Sequence, residues 1–114
     1  PVVKALHVEP SGVSAAQIAA LARQYPGALP LFDTKSPAVA GGTGTTFDWT
    51  GLEELARQRP IVVGGGLRPE NVGACVRAVA PFAVDVRNGI ETDGARDASK
   101  MRDFITAIRE TDAA

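Results

Sequence analysis

Cysteine, histidine and tryptophan each occur once in the 114 residues, and that scarcity removes several kinds of chemistry. A single cysteine excludes an internal disulfide and a cysteine-rich zinc site, and it fits a reducing cytoplasm. No excess of charge exists either: 12 basic side chains face 13 acidic ones, for a formal net charge of −1. Such a balance gives no electrostatic footprint for nucleic acid or an anionic membrane. Any bound anion must be held by local geometry. No apolar run approaches the ~20 residues of a membrane span, and nothing reads as a signal peptide. An initiator methionine is missing too. Pro1 leads straight into an apolar segment, as expected if a methionine was removed or if the segment belongs to a longer chain.

What is present is enough for one small domain with a real core, at 45% hydrophobic and 22% charged residues. Val2–Val8 is β-rich and mostly apolar, a buried-strand pattern. After a loop at Pro10–Gly12, Ser14 is placed to cap a helix with Ile18, Leu21, Ala22 and Tyr25 on one face. Pro26-Gly27 stops it, and Leu29–Phe32 forms the second strand. The next helix opens around Asp48–Thr50. Thr50 and Glu53 have capping-box spacing, and Leu52, Leu55 and Ala56 make the buried stripe.

Pro60–Val63 reads as the third strand, followed by Gly64–Leu67 and Arg68-Pro69-Glu70-Asn71. Proline in a first helical turn is a start signal, and Val72, Cys75, Val76 and Val79 continue as a helical stripe until Pro81. The fourth strand is Phe82–Val86, running into Arg87-Asn88-Gly89. A last helix starts near Asp97–Ser99 and buries Met101, Phe104, Ile105 and Ile108, and Thr111–Ala114 is a frayed tail.

Strict β-α alternation with short connections means parallel strands with helices packed outside. Each unit averages about 28 residues, close to the about 31 of a (β/α)₈ barrel. Four such units make half a barrel, which leaves two unpaired edge strands and an open inner face carrying Val62 and Phe32. A lone monomer is not expected. Either an N-terminal half closes the barrel, or a second copy does.

Candidate chemistry gathers where strands end. Asp33 terminates an apolar strand, where half-desolvation suits a carboxyl to general acid work; it could equally cap its loop or pair with Lys35. Asp85 alternates with Val84 and Val86 and so faces the barrel interior, or else bonds backbone at its strand end. Three glycine-bearing loops follow three successive strands: Gly41–Gly44, Gly64–Gly66 and Asn88-Gly89. Glycine lets backbone N–H groups approach an oxyanion, and barrels often bind phosphate on the loops after strands seven and eight. Tight βα turns use glycine anyway.

Cys75 falls in an apolar stripe and reads as core. His7 lies near the end of the first strand, where a site role and a structural one are both open. Lys4 is placed to point into the barrel toward an acid. Trp49 and Phe47 read as packing residues, and Arg102, Asp103, Arg109 and Glu110 as a solvated helix face.

Several strings in register, VVKAL, LFDTK, GGTGTTFDW, PIVVGGGLRPENV and AVDVRNGIE, resemble strands five to eight of phosphoribosylanthranilate isomerase, a tryptophan-biosynthesis enzyme. The resemblance implies the C-terminal half of a TIM barrel over residues 1–114. It also implies an Amadori rearrangement of N-(5-phosphoribosyl)anthranilate without metal or cofactor. Asp33 matches the family's general acid and Asp85 an acid contacting sugar hydroxyls. Backbone N–H groups of Gly65, Gly66, Asn88 and Gly89 would hold the phosphate, and Gly42, Thr43 and Gly44 would cover the substrate. Thr45 stands where a lysine is usual, and Arg87-Asn88 where two small hydroxyl residues are common.

The family's general base is a cysteine in a KICG motif of the first half, and an arginine there holds the anthranilate carboxylate. Neither motif occurs here, and Cys75 belongs to a different element. This chain alone is therefore expected to be inactive. Two other expectations stand beside this one: a self-associating half-barrel that at most binds phosphate, and an isomerase that also serves histidine biosynthesis.

Overall fold

The computed structural model describes residues 2–7, 15–33 and 49–112. Four strands, β1 (Val2–His7), β2 (Ala28–Asp33), β3 (Val62–Gly64) and β4 (Ala83–Val84), form one parallel sheet in that order. Between and after them run α1 (Ala15–Arg23), α2 (Thr50–Gln58), α3 (Val72–Val79) and α4 (Ala98–Asp112), each packed on the next. The β-α alternation is as the sequence implies, and β1 and β4 are the two edges.

Register decides which residues share a face. Leu6 pairs with Phe32, Phe32 with Val63, and Val63 with Val84. This row lies under the helices: Leu6, Phe32 and Val63 are buried against Ile18 and Ala22 of α1, Leu52 and Leu55 of α2, Val72, Cys75 and Val79 of α3, and Phe104 of α4. Full burial of a side chain such as Phe32 contributes about 1.5–3 kcal/mol. The next row, Ala5, Leu31, Val62 and Ala83, lies on the opposite face. Val62 is therefore on the side away from the helices as expected, although it is itself buried at 9% exposure. Phe32 is not: alternation separates two faces but does not say which one the helices cover.

Boundaries moved where hydrogen bonding, not hydrophobicity, decides. β3 runs to Gly64 and β4 shrinks to two residues, although the Asp85 N–H still donates to the Val63 carbonyl at 2.8 Å. α3 closes at Val79, before Pro81, because Ala80 adopts a left-handed conformation (φ 52°) and donates back to the Val76 carbonyl. At α2 the N-cap position falls to Trp49, which makes no side-chain cap bond, so Thr50 is the first helical residue, and Glu53 pairs with Arg57 at 3.3 Å. Tyr25 lies beyond α1 and is exposed. Ser14 and Val8 lie outside the described residues.

The segment between β4 and α4 holds structure that the patterning does not announce. A 3₁₀ turn, Asn88–Ile90, leads into a hairpin of β5 (Glu91–Thr92) and β6 (Ala95–Arg96). Its two central residues, Asp93 (φ 54°) and Gly94 (φ 80°), both take positive φ, as a type I′ turn requires. Asp97 then caps α4, its Oδ1 accepting from Ser99 and Lys100 N–H and its Oδ2 from the Thr92 hydroxyl. Only Phe104 of the expected α4 stripe is buried. Ile108 packs partly against the core, whereas Met101 and Ile105 are exposed. The helix runs to Asp112, so Thr111 is part of it and not of a frayed tail.

Candidate active site at the strand ends

The carboxyl ends of the strands line up. His7 pairs with Asp33, Asp33 pairs with Gly64, and the Asp85 backbone follows one step after the Val63–Val84 pair. By alternation Asp33, Gly64 and Asp85 sit on the open face, in the row above Leu31, Val62 and Ala83. The half-buried Asp33 and the exposed Asp85 thus flank Gly64, one strand to each side.

The sequence puts Gly64 in the glycine loop after the third strand; the structure makes it the last residue of β3 and a member of this row. A Cβ built there would stand 3.2 Å from the Asp85 Cβ, 3.4 Å from its Oδ2 and 3.4 Å from Leu31 Cδ1. The missing side chain makes the notch across which Asp85 lies.

Gly65 (φ 86°) and Gly66 (φ 71°) both occupy the left-handed region, which lets the chain leave β3 in a tight loop. The Asn71 side chain braces this loop: Oδ1 accepts from the Arg68 N–H at 2.7 Å, and Nδ2 donates to the Gly66 carbonyl at 2.9 Å. The turn after β4 presses on the same loop, with Gly89 against the Leu67 carbonyl and a Cβ there only 3.0 Å from Arg68 Cα. The structure therefore brings Gly65, Gly66, Asn88 and Gly89 to the same end as Asp33 and Asp85. Gly42, Thr43 and Gly44, together with Thr45, lie outside the described residues.

Other candidates fall away from this end. Lys4 is on the helix-covered side, its Nζ 5.0 Å above the Tyr25 ring, and not in the barrel interior. Cys75 is fully buried in α3, and that burial pushes its thiol up to about 12, so it stays protonated. Among the described residues no group of three His, Cys, Asp or Glu side chains is arranged to hold a metal. A groove of about 290 Å³ between Pro69-Glu70 and Asp103, Thr106, Ala107 and Glu110 of α4 shares no residue with the strand-end row.

Comparison with known proteins identifies a family for the chain. The model of the N-(5'phosphoribosyl)anthranilate (PRA) isomerase family matches residues 1–107. The isomerase of Desulforudis audaxviator is 46% identical over 101 residues, covering 87% of this chain and 50% of its own. The crystal structure of the Thermotoga maritima enzyme superposes with a TM-score of 0.75 at 37% identity, over 96% of this chain and 51% of that one. A further isomerase structure, in complex with reduced 1-(o-carboxyphenylamino)-1-deoxyribulose 5-phosphate, is similar at a TM-score of 0.71 and 29% identity, over 96% of this chain and 48% of that one. The chain spans about half the length of the relatives it matches. On sequence and fold together, it belongs to the N-(5'-phosphoribosyl)anthranilate isomerase family.

Proposed function

We propose that residues 1–114 are the C-terminal half, strands five to eight, of a (β/α)₈ phosphoribosylanthranilate isomerase. The observation that carries this reading is the shared strand-end row: Asp33 and Asp85 to either side of Gly64, with the glycine loops after β3 and β4 in contact on the same end. Two carboxylates next to an anion cradle suit a phosphorylated sugar. The ligand bound in the related structure, a reduced deoxyribulose 5-phosphate derivative, is of that class.

In this mechanism Asp33 protonates the furanose ring oxygen of N-(5-phosphoribosyl)anthranilate, and the C1–O bond opens as the anilino nitrogen donates its lone pair. A base then removes the C2 proton, and the resulting enolamine tautomerises to the 1-deoxyribulose phosphate. Asp85 hydrogen-bonds the sugar hydroxyls. Gly65, Gly66, Asn88 and Gly89 hold the phosphate through backbone N–H groups, and Gly42, Thr43 and Gly44 cover the substrate. The base comes from the complementary N-terminal half.

The test is reassembly. The purified chain alone is expected to leave the substrate unconverted, and the same chain mixed with the N-terminal half of a relative is expected to turn it over. Asp33→Asn in the mixture is expected to lower kcat by about 10²–10⁴-fold, the usual worth of a general acid. Turnover by the chain alone, or full activity without the Asp33 carboxyl, overturns the assignment.

One observation favours a second reading, a half-barrel that closes on its own copy. Among the described residues, and apart from Tyr25, the exposed large apolar side chains lie on the outer units: Val2 (64% exposed) and Val3 (58%) on β1, Phe82 (70%) before β4, and Met101 (38%) and Ile105 (48%) on α4. These are the surfaces a neighbouring βα unit would cover. Light scattering separates the readings, because a stable two-fold dimer that refuses an N-terminal half favours self-closure.

A further inference from the structure

We infer that Asn71 is a positioning residue for anion binding, a role that rests on the phosphate cradle proposed above. Asn71 occupies the N-cap position of α3, yet its side chain makes no cap bond to that helix. It turns back on the loop from β3. Oδ1 takes the Arg68 N–H and Nδ2 gives to the Gly66 carbonyl, so the two peptide groups on either side of Leu67 are held by one planar amide. The orientation of that amide is unambiguous: reversing it would set an NH₂ against an N–H and an oxygen against a carbonyl.

The two bonds serve different ends. The bond to Arg68 continues the helix start, because the Arg68 carbonyl already accepts from Asn71 and Val72 N–H at 3.1 and 2.9 Å. A side chain three residues on that reaches back to the first N–H is one arm of a capping box. The bond to Gly66 does nothing for the helix. It fixes the carbonyl of the second of two glycines with positive φ, residues that lose more conformational freedom on ordering than any other. A loop ordered before the anion arrives spares that cost at binding. Leu67, buried between the two clamped groups, is also where Gly89 presses in from the other phosphate loop. Asn71 thereby sets the shape of both halves of the cradle.

The experiment titrates inorganic phosphate into the ¹⁵N-labelled chain, unsubstituted and as Asn71→Ala and Asn71→Asp, following the amides of Gly65, Gly66, Arg68 and Gly89. Asn71→Asp keeps an oxygen for the Arg68 N–H and removes the donor to Gly66. Both variants are expected to lose roughly five- to tenfold in phosphate affinity, the scale of losing one preorganised loop contact. The loss in Asn71→Asp persists in about 1 M salt, where the Debye length of ~3 Å screens its added charge. Hydrogen exchange at Arg68 is expected to quicken in Asn71→Ala and to stay slow in Asn71→Asp, which separates the helix-start bond from the loop bond. Unchanged affinity in both variants overturns the positioning role while leaving the cradle standing. Absence of any shift at Gly65, Gly66 and Gly89 in the unsubstituted chain overturns the cradle, and the role of Asn71 with it.

Discussion

Asp85 lies across Gly64: the space a Cβ would fill at position 64 is bounded by the Asp85 Cβ at 3.2 Å and its Oδ2 at 3.4 Å. Because Gly64 is paired with Asp33 on the other side, the size of residue 64 sets where the Asp85 carboxylate stands relative to Asp33. Gly64→Ala is expected to displace that carboxylate by a few tenths of an ångström. Contacts this tight yield without unfolding the sheet, at a cost of about 1–3 kcal/mol. In the reassembled enzyme the effect should appear mainly as a raised KM, since the proposed partner of Asp85 is a hydroxyl present in ground and transition states alike. A kcat loss at constant KM would place the role of Asp85 in the chemical step instead.

Gly89 is expected to be less forgiving. A Cβ there would overlap the Leu67 carbonyl oxygen, and both neighbouring groups are backbone that no rotamer change can clear. Gly89→Ala should force the two loops apart, lower the urea midpoint by an amount corresponding to about 3 kcal/mol or more, and abolish phosphate-dependent shifts. Retained phosphate shifts in a folded Gly89→Ala chain would mean that contact between the loops is not what forms the cradle.

Helical periodicity carried most of the fold. Val72, Cys75 and Val79 sit where their spacing puts them, and Asp33 and Asp85 end up on the shared row because strand alternation is insensitive to the exact strand ends. Facing was less legible. Phe32 and Val62 both read as apolar strand residues, and only the helix layer decides that Phe32 is covered. Met101 and Ile105 complete a stripe with Phe104 and Ile108, but a stripe records what a helix can bury, not which neighbour is there to bury it. The β5–β6 hairpin escaped because its strands are two residues each and mostly polar, so Asp93-Gly94 lacked the flanking apolar runs that usually accompany such a turn. The bond from Asn71 to Gly66 is invisible to any pattern, since the spacing from Arg68 to Asn71 says only that a helix begins.

The α4 cap makes a pH prediction. Asp97 has its carboxyl held below the usual carboxylate range, first by the Thr92 hydroxyl and then by the Lys100 and Ser99 N–H groups and the Lys100 charge. A folded value below the unfolded one, about 3.9, means that the stabilisation is fully present above that unfolded value. It is lost as pH falls through the lower folded value. Urea midpoints of the unsubstituted chain should therefore drop over this acid window by more than those of Asp97→Ala, which also starts lower at neutral pH. Parallel acid limbs for the two proteins would show that the cap carries no charge-dependent stability.

Cys75 offers a readout of the whole fold. Its thiol is fully buried beneath α3, and burial keeps it protonated up to about 12, so a thiol reagent near pH 8 meets neither an accessible sulfur nor a thiolate. Modification by a disulfide reagent should be orders of magnitude slower than for a free cysteine and should accelerate in urea in step with the loss of far-UV circular dichroism. Cys75→Ser buries a hydroxyl in the same apolar site and is expected to cost about 1–3 kcal/mol. In the reassembled enzyme the serine variant should keep the activity of the unsubstituted chain per folded molecule, because Cys75 belongs to the core cluster and not to the strand-end row. Rapid labelling in the absence of denaturant would mean that α3 opens independently, and with it the loop that Asn71 holds.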